Sequence, residues 1–167
     1  MRFVLDCNQW VPLSRDVVFA FFSDAFRLEE LTPDWLRFRV LTEAPIEMER
    51  GALIDYRLRL RGIPIRWRTE ITAWEPPVRF EDSQVRGPYR EWVHEHAFQE
   101  VNGGMLMRDR VVYSVPGGPF VERMFVRGDV RRIFEYRQRR LPELLGVAAE
   151  DSWASAVQIS RLGCGAE

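Results

Sequence analysis

The 167-residue chain contains no lysine; all 24 of its basic residues are arginines. They are spread along the whole length against 25 acidic residues, so the formal net charge is −1. No molecule-wide field favours nucleic acid, and phosphate-driven binding would need a basic surface concentrated locally. Cysteine is nearly missing. Cys7 and Cys164 stand near opposite ends with no C-x-x-C spacing, which excludes a disulfide framework and a structural zinc cluster and fits a reducing compartment. Long apolar runs are missing too: the longest, Val17 to Phe22, falls far short of the ~20 residues a membrane helix needs. The start, MRFVLDCNQWV, has no signal-peptide core, so a cytoplasmic protein without stable membrane insertion is expected. No glycine loop suits a phosphate, because Gly103-Gly104 and Gly117-Gly118 fall where turns are required. No serine sits in a G-x-S-x-G setting, which removes the usual serine-nucleophile arrangement. Histidine is equally scarce: the two imidazoles, His94 and His96, both lie in EWVHEHAF.

What is present is apolar and aromatic bulk, 46% and 13% of residues, enough to fill one core and line a hollow in a chain of single-domain length. Residues 3–11 read as a strand. Pro12-Leu13-Ser14 then breaks the chain and offers an N-cap to a short helix, with a second near Leu28 to Leu31. Period-two alternation marks strands at 36–42, 53–61, 63–74, 79–86, 90–101 and 105–114, the last two joined through the hairpin signal Asn102-Gly103-Gly104. After Pro116-Gly117-Gly118-Pro119 the period becomes helical, with Val126, Val130, Ile133, Phe134, Arg137 and Leu141 on a common side. Pro142 is expected at that helix's fraying end. Residues 147–167 show weak periodicity and read as a tail with no assigned structure, leaving 1–146 as the domain. This order is α+β: a curved antiparallel sheet of about seven strands wrapped around a long C-terminal helix, with two short helices after the first strand.

Alternation sets Trp92, His94, His96 and Phe98 on one face of their strand, and the aromatic flanks mark that face as inward. With the preceding hairpin turning near Pro88 in even register, Phe80, Asp82 and Gln84 join them; a one-residue slip would substitute Glu81, Ser83 and Val85. Asp109 and Tyr113 point the same way from the last strand. Each such polar group costs roughly 1 to 3 kcal/mol to bury unpaired, so Asp82, Asp109, His94 and His96 must pair, hold water or meet a ligand.

The run FEDSQVRGPYREWVHEHAF, with LTPDWLRF at 31–38, DYRLRLRGIPIRWRTEI at 55–71 and MRDRVVY at 107–113, resembles the SRPBCC superfamily, and within it a bacterial ligand-binding branch described as cell-division-inhibitor-like or joined to sugar-nucleotide epimerase-like proteins. The resemblance spans about Met1 to Leu145. It implies the helix-grip fold of START, Bet v 1 and polyketide cyclase proteins, with a cavity between sheet and C-terminal helix that takes a hydrophobic small molecule.

The reading that follows is a carrier of a small lipid, isoprenoid or polyketide-like compound. Tyr56, Trp67, Asp82, Gln84, Trp92, His94, His96, Phe98, Asp109 and Tyr113 are the candidate ligand-binding residues, and His94, His96 and Asp109 hold the polar end. Burying ~300 Å² of ligand would contribute about 7 kcal/mol before ordering costs, so binding needs no covalent step. The rival reading is a cyclase or dehydratase in which His94 acts as base with Asp109 or Tyr113 assisting, since an imidazole beside a carboxylate moves protons near neutral pH. An H-x-H pair plus a carboxylate can also supply three metal ligands, but the chain has no further histidine and its cysteines are remote, so no metal or other cofactor is expected. Arg131 to Arg140 reads as the solvated face of the closing helix, with Glu135 pairing to Arg131 and Arg139. A regulatory module that uses this arginine face toward a partner is a third reading.

Overall fold

The computed structural model describes residues 1–163. Its nine-stranded sheet runs β2-β3-β4-β5-β6-β7-β1-β8, with β9 also paired to β1. The strands are β1 (Phe3–Val11), β2 (Arg39–Val40), β3 (Leu53–Leu60), β4 (Ile63–Glu75), β5 (Arg79–Arg86), β6 (Glu91–Val101), β7 (Gly104–Ser114), β8 (Trp153–Ala154) and β9 (Gln158–Arg161). Helices α1 (Arg15–Phe22) and α2 (Arg27–Leu31) follow β1; α3 (Gly118–Val121), a π-helical turn at Glu122–Val126 and α4 (Arg127–Leu144) close the chain over the sheet.

Strict alternation of buried and half-buried positions in β1 shows why these residues make strands: one side feeds a core and the other stays partly open to water. The β6–β7 hairpin turns on Asn102 and Gly103, both at positive φ (53° and 76°), the conformation that Asn-Gly adopts at little cost. Between β4 and β5 the register shifts between Ile71 and Ala73, so Ile71 pairs with Asp82 while Trp74 pairs with Phe80. That bulge lets one strand present both residues inward while bending it toward the helix.

The segment 36–42 is shorter as a strand than its alternation suggests. Asp34–Leu36 forms a 3-10 turn and Arg37 takes a left-handed φ of 45°, so only Arg39 and Val40 pair with β3. The larger difference is the C-terminal segment. Residues 153–161 extend the sheet, β8 against Gln9 and Trp10 and β9 against Phe3 to Asp6, with Val157 buried between them. Ser155 helps seat it, its hydroxyl accepting from the Asn8 N–H at 2.9 Å. The expected tail therefore packs on the β1 edge, while Cys164 lies outside the described residues.

Helix α4 buries Val130, Phe134 and Leu141 against the sheet. Pro142 lies inside it and does not end it. A proline has no N–H for the carbonyl four residues back, and here that carbonyl, Gln138 O, accepts from the Gln9 side chain at 2.7 Å. The turn stops at Gly146, whose φ of 70° suits a glycine. The described residues contain no helix long and apolar enough to cross a membrane.

Candidate functional site

The two histidines hang from adjacent inward positions of β6, both buried, their ring centroids 3.8 Å apart. The strand pairing that follows from the turn near Pro88 is the even register: Phe80 faces His96 and Asp82 faces His94. On the other side β7 sets Asp109 opposite His96. One carboxylate thus stands on each flank of the imidazole pair.

The flanks are not equivalent. Asp109 Oδ1 lies 2.9 Å from His94 Nε2 and 2.9 Å from His96 Nδ1, so both rings are tied to a single oxygen. Asp82 Oδ2 stands farther off, 3.8 Å from His94 Nδ1 and 3.6 Å from His96 Nε2. The other Asp82 oxygen accepts from the buried Thr69 hydroxyl at 3.0 Å, which fixes the carboxylate's rotation. Phe80 stacks on His96 at 4.3 Å and Phe134 meets His94 edge-on at 5.5 Å.

Burial works against the charge on Asp109, but donation from both imidazoles and the field of Arg137 hold it well below the usual carboxylate range. Burial, with the neighbouring charge on His96, pushes His94 down to about 4, against the pull of Asp109. For His96 burial also disfavours the cation, yet contact with Asp109 and Asp82 outweighs it and the ring titrates above its ordinary value. Asp82 is lowered despite burial because His96, His94 and Thr69 face it. At neutral pH His94 is neutral. An ionised Asp109 accepts only, so the His94 proton sits on Nε2 and Nδ1 presents a lone pair.

Beside this wall lies a cavity of about 150 Å³. The sheet contributes Tyr56, Leu58, Leu60, Trp67, Asp82, Trp92, His94 and His96; the helical side contributes Leu28, Thr32, Leu36, Val130, Ile133, Phe134 and Arg137; Phe38 and Tyr89 complete it. A second hollow of about 60 Å³ adjoins it and shares Asp82, His96 and Arg137.

Of the residues the sequence singled out, Tyr56, Trp67, Asp82, Trp92, His94 and His96 meet on this cavity. Four do not. Asp109 stands behind the imidazoles and reaches the hollow only through them. Gln84 folds back on its turn, giving Nε2–H to Tyr89 O at 2.8 Å and accepting from the Tyr89 N–H at 3.3 Å. Phe98 packs with Phe19 and Phe22 under α1, ring centroids 5.4 Å from each. Tyr113 donates its hydroxyl to the buried Glu122 at 2.8 Å, a carboxylate that Arg127 also grips, so the phenol is spent at the far end of the sheet. That geometry removes Tyr113 as an assistant to His94.

The residue that sequence reasoning misplaced is Arg137. It belongs to the basic stretch read as solvated, yet it lines both hollows with its guanidinium 5.1 Å from the Phe134 ring. The signal was its place in the apolar i, i+4, i+7 series of α4. The four close imidazole–carboxylate contacts of the site leave Arg137 out. Among the described residues Glu135 forms no ion pair with Arg131 or Arg139; Arg132 lies over Trp35 at 5.2 Å and Arg140 pairs with Glu143 at 2.6 Å.

A curved sheet gripping a C-terminal helix around an aromatic-lined hollow defines a helix-grip protein. Residues 11–141 match the family described as polyketide cyclase/dehydrase and lipid transport, and the chain belongs to that family and to the SRPBCC superfamily. Its description is of proteins that handle hydrophobic small molecules. Among curated proteins none matches the chain. Ara h 8.0201 shares the fold at a TM-score of 0.66 and 11% identity, over 87% of this chain and 98% of its own. Major latex-like protein 151 from Panax ginseng does so at 0.64 and 14%, over 86% and 97%. The nucleoside-diphosphate sugar epimerase from Corynebacterium glutamicum matches at 0.61 and 23% identity, over 84% of this chain and 29% of that one.

Proposed function

We propose that this protein reversibly binds a small, largely apolar compound in the cavity between sheet and α4, with the polar end of the compound against His94, His96 and Asp82. One observation carries the reading: a hollow walled by Trp67, Trp92, Phe38 and Leu58 also takes in Asp82, His94 and His96, the carboxylate lying within 3.8 Å of a nitrogen of each ring. A volume of about 150 Å³ suits one ring or a short branched chain more than an extended lipid tail. A compound of one aromatic ring buries roughly 200 Å², worth about 5 kcal/mol or a Kd of about 0.2 mM before ordering costs, so binding in the millimolar range is expected. Asp109 fixes the rings; the Nδ1 lone pair of His94 and the Asp82 carboxylate accept, so a polar end with a hydroxyl to donate, such as a phenol or an alcohol, suits the wall, and Arg137 lines the same space.

A specific observation supports a second reading, proton transfer on a bound carbonyl compound. His94 is neutral, its Nε2–H is held by Asp109 and its Nδ1 lone pair is directed at the Asp82 side of the wall, the arrangement of an oriented general base. Leu58→Trp places an indole in the hollow and leaves the imidazole–carboxylate residues themselves unchanged. Calorimetric titration with p-cresol as a one-ring probe is expected to show binding to the native chain and none to this variant. Equal binding by both would remove the cavity from the proposal. Turnover lost in His94→Gln with probe binding retained would decide for the enzyme.

A further inference from the structure

We propose that His94 Nδ1, His96 Nε2 and Asp82 Oδ2 form a site for one divalent transition-metal ion, with zinc as the probe, and that Asp109 positions both imidazoles from behind. This goes beyond the binding of an apolar compound and does not depend on it.

Three features of the wall converge on a cation. First, the far nitrogen of each ring is fixed to Asp109 Oδ1 at 2.9 Å, so the near nitrogens are turned toward Asp82. Carboxylates that hold the far N–H of a histidine ligand are the usual support of such sites, since they set the tautomer and raise the basicity of the donor nitrogen. Second, the near atoms have the spacing of a coordination shell. Bonds of about 2.0 to 2.1 Å in a tetrahedral site put donors roughly 3.4 Å apart. Asp82 Oδ2 lies 3.6 Å from His96 Nε2 and 3.8 Å from His94 Nδ1, and the three residues' donor atoms all fall within 4.8 Å of one another. The two carboxylate edges, at 3.6 and 3.8 Å, are a few tenths of an ångström longer than that spacing. Third, Thr69 occupies Asp82 Oδ1 and leaves Oδ2, the oxygen facing the rings, without a hydrogen-bond donor at ordinary distance. Once the His96 Nε2 proton is displaced, two imidazole lone pairs and a carboxylate oxygen stand within 4.8 Å of one another in this wall, a donor set that a cation satisfies.

Two imidazoles and a carboxylate are the donors of catalytic-type zinc sites, in which a fourth position stays open to water or a ligand. Here the open position faces the cavity. Arg137 shares that space and opposes the ion. Asp82 and Asp109 together supply the two negative charges that a divalent ion requires.

The test uses the intact chain stripped with EDTA and dialysed. Titration with zinc by calorimetry, and with cobalt by its visible d–d bands, is expected to give one ion per chain. In the native protein zinc should shift the ¹⁵N resonances of His94 Nδ1 and His96 Nε2, a readout independent of any variant's folding. Asp82→Asn should weaken zinc more than ~100-fold, Asp109→Asn by ~10 to 100-fold as a positioning residue, and Arg137→Gln should tighten it. The site is overturned if no ion binds, if an ion binds with both imidazole resonances unmoved, or if Asp82→Asn leaves affinity unchanged; the wall is then an imidazole–carboxylate network closed by a proton alone. Binding of p-cresol is measured in parallel with EDTA present. Probe binding without zinc binding removes the metal and keeps the carrier; zinc at the imidazoles without probe binding upholds the metal and removes the carrier.

Discussion

Replacing Asp109 with asparagine keeps the shape of the side chain and an oxygen to accept from both rings, but removes the charge. Its 2.9 Å contact with His94 Nε2 is a hydrogen bond to an ionised acceptor, and its 2.9 Å contact with His96 Nδ1 is a charge-assisted pairing. Such bonds contribute about 1.5 to 3 kcal/mol against about 0.5 to 1.5 for neutral pairs, so losing the charge costs about 1 kcal/mol per contact and about 2 in all. At 2 to 4 °C per kcal/mol for a chain of this size, Tm should fall by about 4 to 8 °C. The same change withdraws one of the two carboxylates that raise His96, so that ring should titrate at lower pH, read from imidazole resonances in EDTA-treated protein. Asp55→Asn is the control: it breaks a two-point pair with Arg68 at 2.8 and 2.7 Å, but on an exposed face where such pairs contribute about 0 to 1 kcal/mol. Equal Tm losses in the two variants, or an unmoved His96 midpoint, would refute the role given to Asp109.

His94 makes stability depend on pH in a defined direction. Its folded value of about 4 lies below the ordinary 6.5, so the unfolded chain binds the extra proton as pH falls from 6.5 to 4 and stability drops, by at most about 3 kcal/mol. His96 acts oppositely: its contribution is full below 6.5 and is lost as pH rises through its raised folded value. Urea midpoints across this range should fall more steeply on the acid side for the native chain than for His94→Gln, and matching slopes would count against it. Removing residues 147–167 takes two strands off β1 and takes Val157 and Ile159 out of the cluster that buries Leu5 and Cys7, so the shortened chain should unfold at lower urea and its one remaining thiol, Cys7, held unreactive by burial, should alkylate faster at neutral pH. Gly104→Ala would drive a methyl to 2.4 Å from both Trp10 and the Val11 carbonyl oxygen, a clash with main chain that should cost about 1 to 3 kcal/mol in urea unfolding.

Alternation made the sheet legible because half-buried strands must separate apolar from charged side chains, and Gly87-Pro88 fixed the register that sets Asp82 and Phe80 beside the histidines. Alternation names a face, however, and not a depth along the strand. Phe98 and Tyr113 share the inward face of His94, yet one lies under α1 and the other against Glu122, beyond either end of the hollow. Arg137 was hidden by its arginine neighbours, since a guanidinium on an apolar helix face reads the same whether it reaches water or a cavity. The terminal strands were illegible for another reason. Gln158 to Arg161 carries little alternation, and its place is decided by main-chain pairing to the open edge of β1.

The central claim, that the imidazole wall faces a hollow open to a small apolar compound, is tested most directly by titrating ¹⁵N-labelled protein with p-cresol. Saturable shifts centred on the indole N–H of Trp67 and Trp92 and the rings of His94 and His96, fading toward β8 and β9, are predicted. Shifts scattered over the surface, or none at these four residues at millimolar probe, would contradict it.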